Sequence, residues 1–213
     1  TDRVITMQNC ENNIISQLTI TGGSVSLLPA IAGDGNGGGI YVKNSNLTLN
    51  HVTINGNMAD NGGGMYLLGS NITTNHVTIS ENIAYRGAGI YLYSSNPILT
   101  HITISENITE GSAGGMWLLF SDPIISHSTI SGNIGEGMTL ADSDPILTHV
   151  NFSQNSGSGM SLSDSNPTLM DVTFRENGTL NAENSNFEGG GMSLGSSNPT
   201  LINVSISENM ANN

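Results

Sequence analysis

The sequence predicts an all-β chain: a single-stranded, right-handed parallel β-helix of about eight coils that takes up residues 1–213 as one domain. Three observations predict it. One unit recurs at intervals of 22–35 residues, each unit holds two short runs that alternate apolar with polar, and the same residue type returns at the same place in as many as seven successive units. A period of two is the mark of a β-strand, and a fixed repeat of this length is the mark of a solenoid.

The unit is clearest from Gly39 onward. Ile40-Tyr41-Val42 is followed by Ser45-Asn46, then by Leu49, Val52, Ile54 and Asn57. Later copies begin at Met65, Ile90, Met116, Met138, Met160 and Met192, with steps of 25, 25, 26, 22, 22 and 32 residues. A degraded copy begins 35 residues earlier, at Ile5, and runs through Asn12, Ile15, Leu18 and Ile20.

Each run then takes its place. In Ile40-Tyr41-Val42 the aliphatic residues share one face and Tyr41 takes the other; Val52-Thr53-Ile54 repeats the pattern. Ser-Asn or Ser-Asp lies between the runs, joined in later units by Pro97, Pro123, Pro145, Pro167 and Pro199, which is turn chemistry. A unit this short has no room for a helical crossover. Its strands pair with the same strands of the next coil, in parallel and about 4.8 Å away, so eight coils rise roughly 38 Å.

Stacking turns the repeat into columns. An Ile/Met column runs Ile40, Met65, Ile90, Met116, Met138, Met160, Met192, beside a Val/Leu column from Val42 to Leu194. Opposite lie Val52, Val77, Ile102, Val150, Val172 and Val204, where Ser128 breaks the series and predicts a weak or bulged coil. A structural ladder is expected at Asn57, Asn82, Asn107, Asn133, Asn155, Asn177 and Asn209. An inward amide at a tight turn can bond its own turn and the amide of the next coil. A second ladder is Ser45, Ser70, Ser95, Ser121, Ser143, Ser165 and Ser197.

Composition agrees. Only 36% of the chain is hydrophobic and 5% aromatic, while 28 Asn, 27 Ser, 19 Thr and 27 Gly fill the rest. Such a chain buries little apolar area and must recover stability from hydrogen bonds. Four Lys+Arg against 17 Asp+Glu leave a net charge of −13, which argues against nucleic acid or anionic lipid as a partner. No stretch approaches 18 apolar residues, so no membrane insertion is expected. Cys10 is the sole cysteine: it excludes an internal disulfide and reads as a small apolar filler, with a bond to another chain as the other reading.

The Gly-Gly-Gly-Ile opening (Gly37–Ile40, also Gly62–Met65 and Gly189–Met192) and the Ile/Phe-x-x-Asn close (Ile54–Asn57, Phe152–Asn155, Phe174–Asn177) resemble the repeats of chlamydial polymorphic outer-membrane proteins. They are equally similar to right-handed parallel β-helix repeats of secreted bacterial proteins, over nearly the whole chain. The resemblance implies the fold, an extracellular or cell-surface location, and adhesion or display. It implies no activity, since the same helix also hosts lyases, hydrolases and epimerases of polysaccharides.

Candidate sites compete with structural readings. Length variation falls between the Asn ladder and the next Gly-Gly, including 24–38 and 178–190, so one edge is expected to carry the loops. His51, His76, His101, His127 and His149 form one outward column, continued by Asp171 and Asn203. Parallel rings converge poorly on one ion, so a solvated stack is the favoured reading; acid would set like charges side by side in it. Asp142, Asp144, Asp164 and Asn166 bring hard oxygens together and make a calcium site conceivable, against the reading of Asx turns capping their backbone. No other cofactor is indicated. Glu81, Glu106, Glu176 and Glu208 form an acidic column read as a solvated face. Tyr41, Tyr66, Tyr91 and Trp117 form an outward aromatic stripe that would suit a carbohydrate or protein ligand, or simply the packing of neighbouring strands. Six Asn-x-Ser/Thr sequons occur, as many as composition alone predicts; Asn151 and Asn203, being outward, are the better glycan acceptors.

Catalysis is not expected. Arg3, Lys43, Arg86 and Arg175 are scattered over distant coils, and the exposed faces are Ser, Thr and Asn. The functional reading is a non-enzymatic extracellular structural or adhesive solenoid; its uncapped edges leave two readings, a fragment of a longer protein or end-to-end self-association into a filament, of which the second is favoured. The alternative is a β-helix protein that binds or degrades polysaccharide.

Overall fold

The computed structural model describes residues 2–25, 35–178 and 189–211. It is a parallel β-solenoid with no helix among the described residues. Eight four-residue strands stack in the first sheet: Ile5–Gln8, Ile40–Lys43, Met65–Leu68, Ile90–Tyr93, Met116–Leu119, Met138–Ala141, Met160–Ser163 and Met192–Gly195. Pairing is parallel, residue on equivalent residue, as in Ile40 on Met65 and Met116 on Met138. Five turns, those opening at Ile40, Met65, Ile90, Met116 and Met138, are described from end to end. The turns opening at Ile5 and Met160 pass through 26–34 and 179–188, outside the described residues, so the expected excursions there are described only at their margins.

The second sheet is wider than two short runs suggest. Its strands are Asn13–Thr21, Asn46–Asn55, Asn71–Ser80, Ile98–Ser105, Ile124–Ser131 and Ile146–Ser153. It continues through Thr168–Met170 with Thr173–Arg175, and Thr200–Ile202 with Ser205–Ser207. A third sheet, Met58–Asn61, Ile83–Arg86 and Ile108–Ser112, occupies part of the edge expected to carry only loops. The 25- and 26-residue turns have enough chain for this extra strand, and the 22-residue turns do not.

Three left-handed positions recur in all eight rungs and shape the cross-section, and a fourth, at Gly37, Gly62, Gly87, Ala113 and Gly135, joins them in five. One series is Asn9, Asn44, Gly69, Ser94, Phe120, Asp142, Asp164 and Ser196 (φ 48–56°). The second is Gln17, the five histidines, Asp171 and Asn203 (φ 50–57°). The third is Gly22, Gly56, Glu81, Glu106, Gly132, Gln154, Glu176 and Glu208 (φ 55–79°). A left-handed residue with a Cβ costs roughly 1–2 kcal/mol, and it breaks the in-out alternation of a strand. From the second rung on, the residue after the first series is thereby an inward Ser and the residue after the third an inward Asn. The bonds of these two side chains offset the backbone cost.

The main core is one continuous cluster, aliphatic from Ile20, Leu49 and Ile54 down to Val172 and joined by Phe152 stacked on Phe174 at 4.8 Å. Gly64 shows why a glycine precedes each Ile/Met. A Cβ there would lie 2.6 Å from the Gly89 carbonyl, 2.8 Å from Ile79 Cγ2 and 3.0 Å from Asn82 Nδ2. The requirement is room, and neither φ nor flexibility enters. Ser128, expected to mark a weak or bulged coil, leaves its strand continuous but drops out of the pairing with Ile102. Its Oγ donates to the Ser126 carbonyl at 2.6 Å and accepts the Ile102 N–H at 3.2 Å, which replaces a rung-to-rung backbone bond by a side-chain one.

Candidate functional site

The polar columns are built from the backbone outward, and the Asn ladder is the deepest. Asn57, Asn82, Asn107, Asn133, Asn155 and Asn177 are buried, and Asn209 closes the series half-buried. Each Nδ2 donates to a carbonyl of the preceding rung, Asn82 to Ile54 and Asn107 to Ile79, and to Oδ1 of the next Asn. Each backbone N–H donates to that same Oδ1, as from Asn82 to Asn107 at 3.1 Å. Gly23 holds the ladder position in the first rung, where its N–H meets Asn57 Oδ1 at 2.9 Å.

The Ser ladder works by the same logic on the opposite turn. The Ser45 N–H donates to Ser70 Oγ at 3.1 Å, and Ser70 Oγ donates to the Leu68 carbonyl at 2.9 Å. Its first member is Cys10. The Cys10 N–H donates to Ser45 Oγ at 3.0 Å and the thiol donates to the Gln8 carbonyl at 3.2 Å. Cys10 is a polar rung of this ladder and not an apolar filler. One extra residue between Cys10 and Asn13 hides the alignment in the sequence.

A third ladder, unrecognised from the sequence, is made by Asn71, Asn96, Asp122, Asp144, Asn166 and Asn198. Each Oδ1 accepts the N–H of the next member, from Asn71 to Asn96 and from Asp122 to Asp144. Asp144 and Asn166, two of the four residues considered for calcium, are members. The other two, Asp142 and Asp164, are left-handed corner residues on a different column, Asp164 accepting from Ser163 Oγ at 3.1 Å. Among the described residues no three of His, Cys, Asp and Glu are grouped to hold a metal ion. Asp144 and Asn166 act as caps, though of the next rung and not of their own turn.

The five histidines stack as expected. Ring centroids are 4.9, 4.9, 5.4 and 5.0 Å apart and the planes lie within 18° of parallel. All five are exposed, so each ring covers its neighbour's face and turns its edge to solvent. His149 ends the stack 3.7 Å from Asp171, whose Oδ1 accepts from Asn203 Nδ2. Gln17 belongs to the same left-handed column and was missed because its unit is degenerate.

The aromatic stripe departs from its expectation. Tyr41, Tyr66 and Tyr91 are only 9%, 8% and 7% exposed, and the rings stack on one another and on Trp117 at 5.1–6.3 Å. Arg3 lies 4.8 Å over Tyr41, and Arg86 packs over both Trp117 and Tyr85. Alternation told the side of the strand correctly. It could not tell that bare glycine turns, Gly62 against Tyr66 and Gly87 against Trp117, would close over that side. The stripe thus presents no open ring face as a platform. Burial, with Tyr91, Tyr41 and Tyr93 adding to it, pushes the Tyr66 hydroxyl pKa up to about 12; burial also raises Tyr91, against the opposing pull of Arg86.

Arg175 pairs with Glu176 and Glu208 at 2.9 and 2.8 Å. The sequon asparagines Asn107 and Asn177 have their amides bound in the buried ladder. Half-buried Asn151 donates to Ser153, the hydroxyl of its own sequon, and exposed Asn203 to Asp171.

The sequence matches the family model described as a right handed beta helix region, over residues 3–124 and again over 70–213. No curated protein matches the chain.

Proposed function

Since this chain belongs to the family of right-handed β-helix regions, we propose that it is a non-enzymatic structural or adhesive solenoid of the extracellular space. The observation that carries the reading is the deployment of the polar residues. The Asn, Ser and Asx columns are hydrogen-bonded into the next rung, and the guanidiniums of Arg86 and Arg175 are engaged by Trp117 and by Glu176 and Glu208. A scaffold needs its polar groups bound in this way; a general base or nucleophile needs one left free and tuned. The alternative is a β-helix protein that binds or degrades polysaccharide; a lyase calls for an Arg or Lys on an open sheet, and a hydrolase for clustered carboxylates.

End-to-end association belongs to the same proposal. In the last described rung Leu194 and Leu201 are 47% exposed and Ile206 50%, although their register points them inward. A further rung with matching columns fits that face, whether a second copy or more of the same chain supplies it, and the filament is the reading proposed. A seam between two copies would set Asn209 beside Gly23, which has no carboxamide to receive the Asn209 N–H, so the seam would be weaker than any internal rung. Electron microscopy of concentrated protein tests the filament: rods lengthened by whole protomers are expected, and dispersed monomers at high concentration would reject it. Release of reducing or unsaturated ends from acidic polysaccharide would reject the non-enzymatic reading.

A further inference from the structure

Left-handed corners divide the second-sheet strands, and five successive corners carry His51, His76, His101, His127 and His149 at φ 50–54°. The histidines stand outside the strand pairing: Asn50 is matched with Asn75 and Val52 with Val77, and no pairing passes through His51. Their main chain is therefore fixed by the pairs on either side, while the rings are free at their exposed tips.

Two observations give this column a chemistry. His51 Nδ1 lies 2.9 Å from Asn50 Oδ1. An amide oxygen only accepts, so the neutral ring carries its proton on Nδ1 and keeps the Nε2 lone pair unused. Asn75 Nδ2 donates to the same Oδ1 at 3.3 Å and holds the amide in that orientation. Metal-binding histidines are fixed in this way, by a polar group on the nitrogen that does not bind the ion. At the other end Asp171 places a carboxylate 3.7 Å from His149 Nε2, in a chain of net charge −13, which favours a cation there.

Spacing decides how many rings can share an ion. Neighbouring centroids lie 4.9, 4.9 and 5.0 Å apart except at His101–His127, where the gap is 5.4 Å and the planes diverge by 18°. Two nitrogens bound to one tetrahedral ion at about 2.0–2.1 Å stand roughly 3.4 Å from each other. The tips of adjacent rings must then close by about 1.5 Å, which two exposed side chains share through small χ rotations. A third imidazole lies two rung spacings from the first and cannot join them, so water completes the shell.

We propose that adjacent histidines chelate a transition-metal dication of the zinc, nickel or copper class, one ion across each pair of neighbouring rungs. Imidazole nitrogen selects these ions, whereas calcium and magnesium need oxygen sets that the histidine column lacks. The wider His101–His127 gap divides the column into two blocks, His51–His76–His101 and His127–His149, with one ion in each. The proposal is independent of the adhesive reading.

The test is calorimetric titration of the intact chain with Ni²⁺, Zn²⁺ and Cu²⁺ chlorides. Two ions per chain are expected, undisplaced by excess Ca²⁺ or Mg²⁺. Two double variants then leave the same number of histidines in different arrangements. His76→Asn/His127→Asn separates His51, His101 and His149 by two rungs each and should weaken binding by at least about tenfold. His51→Asn/His149→Asn leaves His76, His101 and His127 consecutive and should keep one ion at near wild-type affinity. Asn203 already stands at this left-handed position, so both variants should melt close to wild type. No uptake by the wild-type chain overturns the proposal, and so does equal affinity in the two variants, which would mean that single rings bind. Uptake seen only as chains associate in sedimentation would put the ion between copies and also overturn it. Each of these outcomes leaves the scaffold reading intact.

Discussion

Cys10 lies directly over Ser45: its N–H donates to Ser45 Oγ at 3.0 Å, and its thiol donates to the Gln8 carbonyl as each ladder serine does to the carbonyl two residues before it. The position asks for a small side chain with one donor. Cys10→Ser should therefore match or raise the melting temperature, since a hydroxyl is the stronger donor. Cys10→Val should lower stability by about 1 kcal/mol, the net worth of one such bond. Thermal denaturation of the two variants checks the ordering; a stabilising valine would restore the apolar-filler reading.

Asn107 sits mid-ladder. Its Nδ2 donates to Ile79 and to Asn133, and its Oδ1 receives both the N–H and the Nδ2 of Asn82. Asn107→Leu leaves several buried groups unpaired at about 1–3 kcal/mol each, so denaturant titration should show a loss of roughly 3 kcal/mol or more. Asn209→Leu, at the half-buried end, should lose less than half of that.

Gly89 faces the Gly115 carbonyl, where an added Cβ would approach to 2.6 Å, with Ile104 Cγ2 at 2.8 Å. Both neighbours are held by the stack, so they cannot yield cheaply. Gly89→Ala should cost about 1–3 kcal/mol as overpacking, whereas Gly56→Ala, whose Cβ would meet only Thr21 Oγ1 at 3.3 Å, pays chiefly for its positive φ. Comparing the two separates lack of room from backbone strain.

Tyr66 holds its proton more tightly in the folded chain, with a pKa pushed up to about 12 by burial and by its tyrosine neighbours. A raised pKa contributes stability that is complete below the free tyrosine value near 10 and is lost as pH climbs toward 12. Absorbance titration should resolve a late-ionising tyrosine. Stability should fall by on the order of 2 kcal/mol across that window at about 1.4 kcal/mol per unit, and Tyr66→Phe should remove much of the fall.

The solenoid, its registers and the Asn, Ser and His columns were legible in the residues because each is periodic in the chain. A residue that recurs once per turn must lie over its copies if the backbone climbs one strand spacing per turn, and no tertiary information is needed to see it. What the tertiary structure alone decided depends on the path between those copies. The left-handed corners set Cys10 in the serine column and Gln17 under the histidines, across a rung whose extra residue breaks the alignment. They divided Asp142 and Asp164 from Asp144 and Asn166, which the sequence places side by side. The closing of glycine turns over Tyr41, Tyr66 and Trp117 follows from three-dimensional room. Alternation reports which side of a strand a side chain leaves from and says nothing of what the rest of the coil folds against that side.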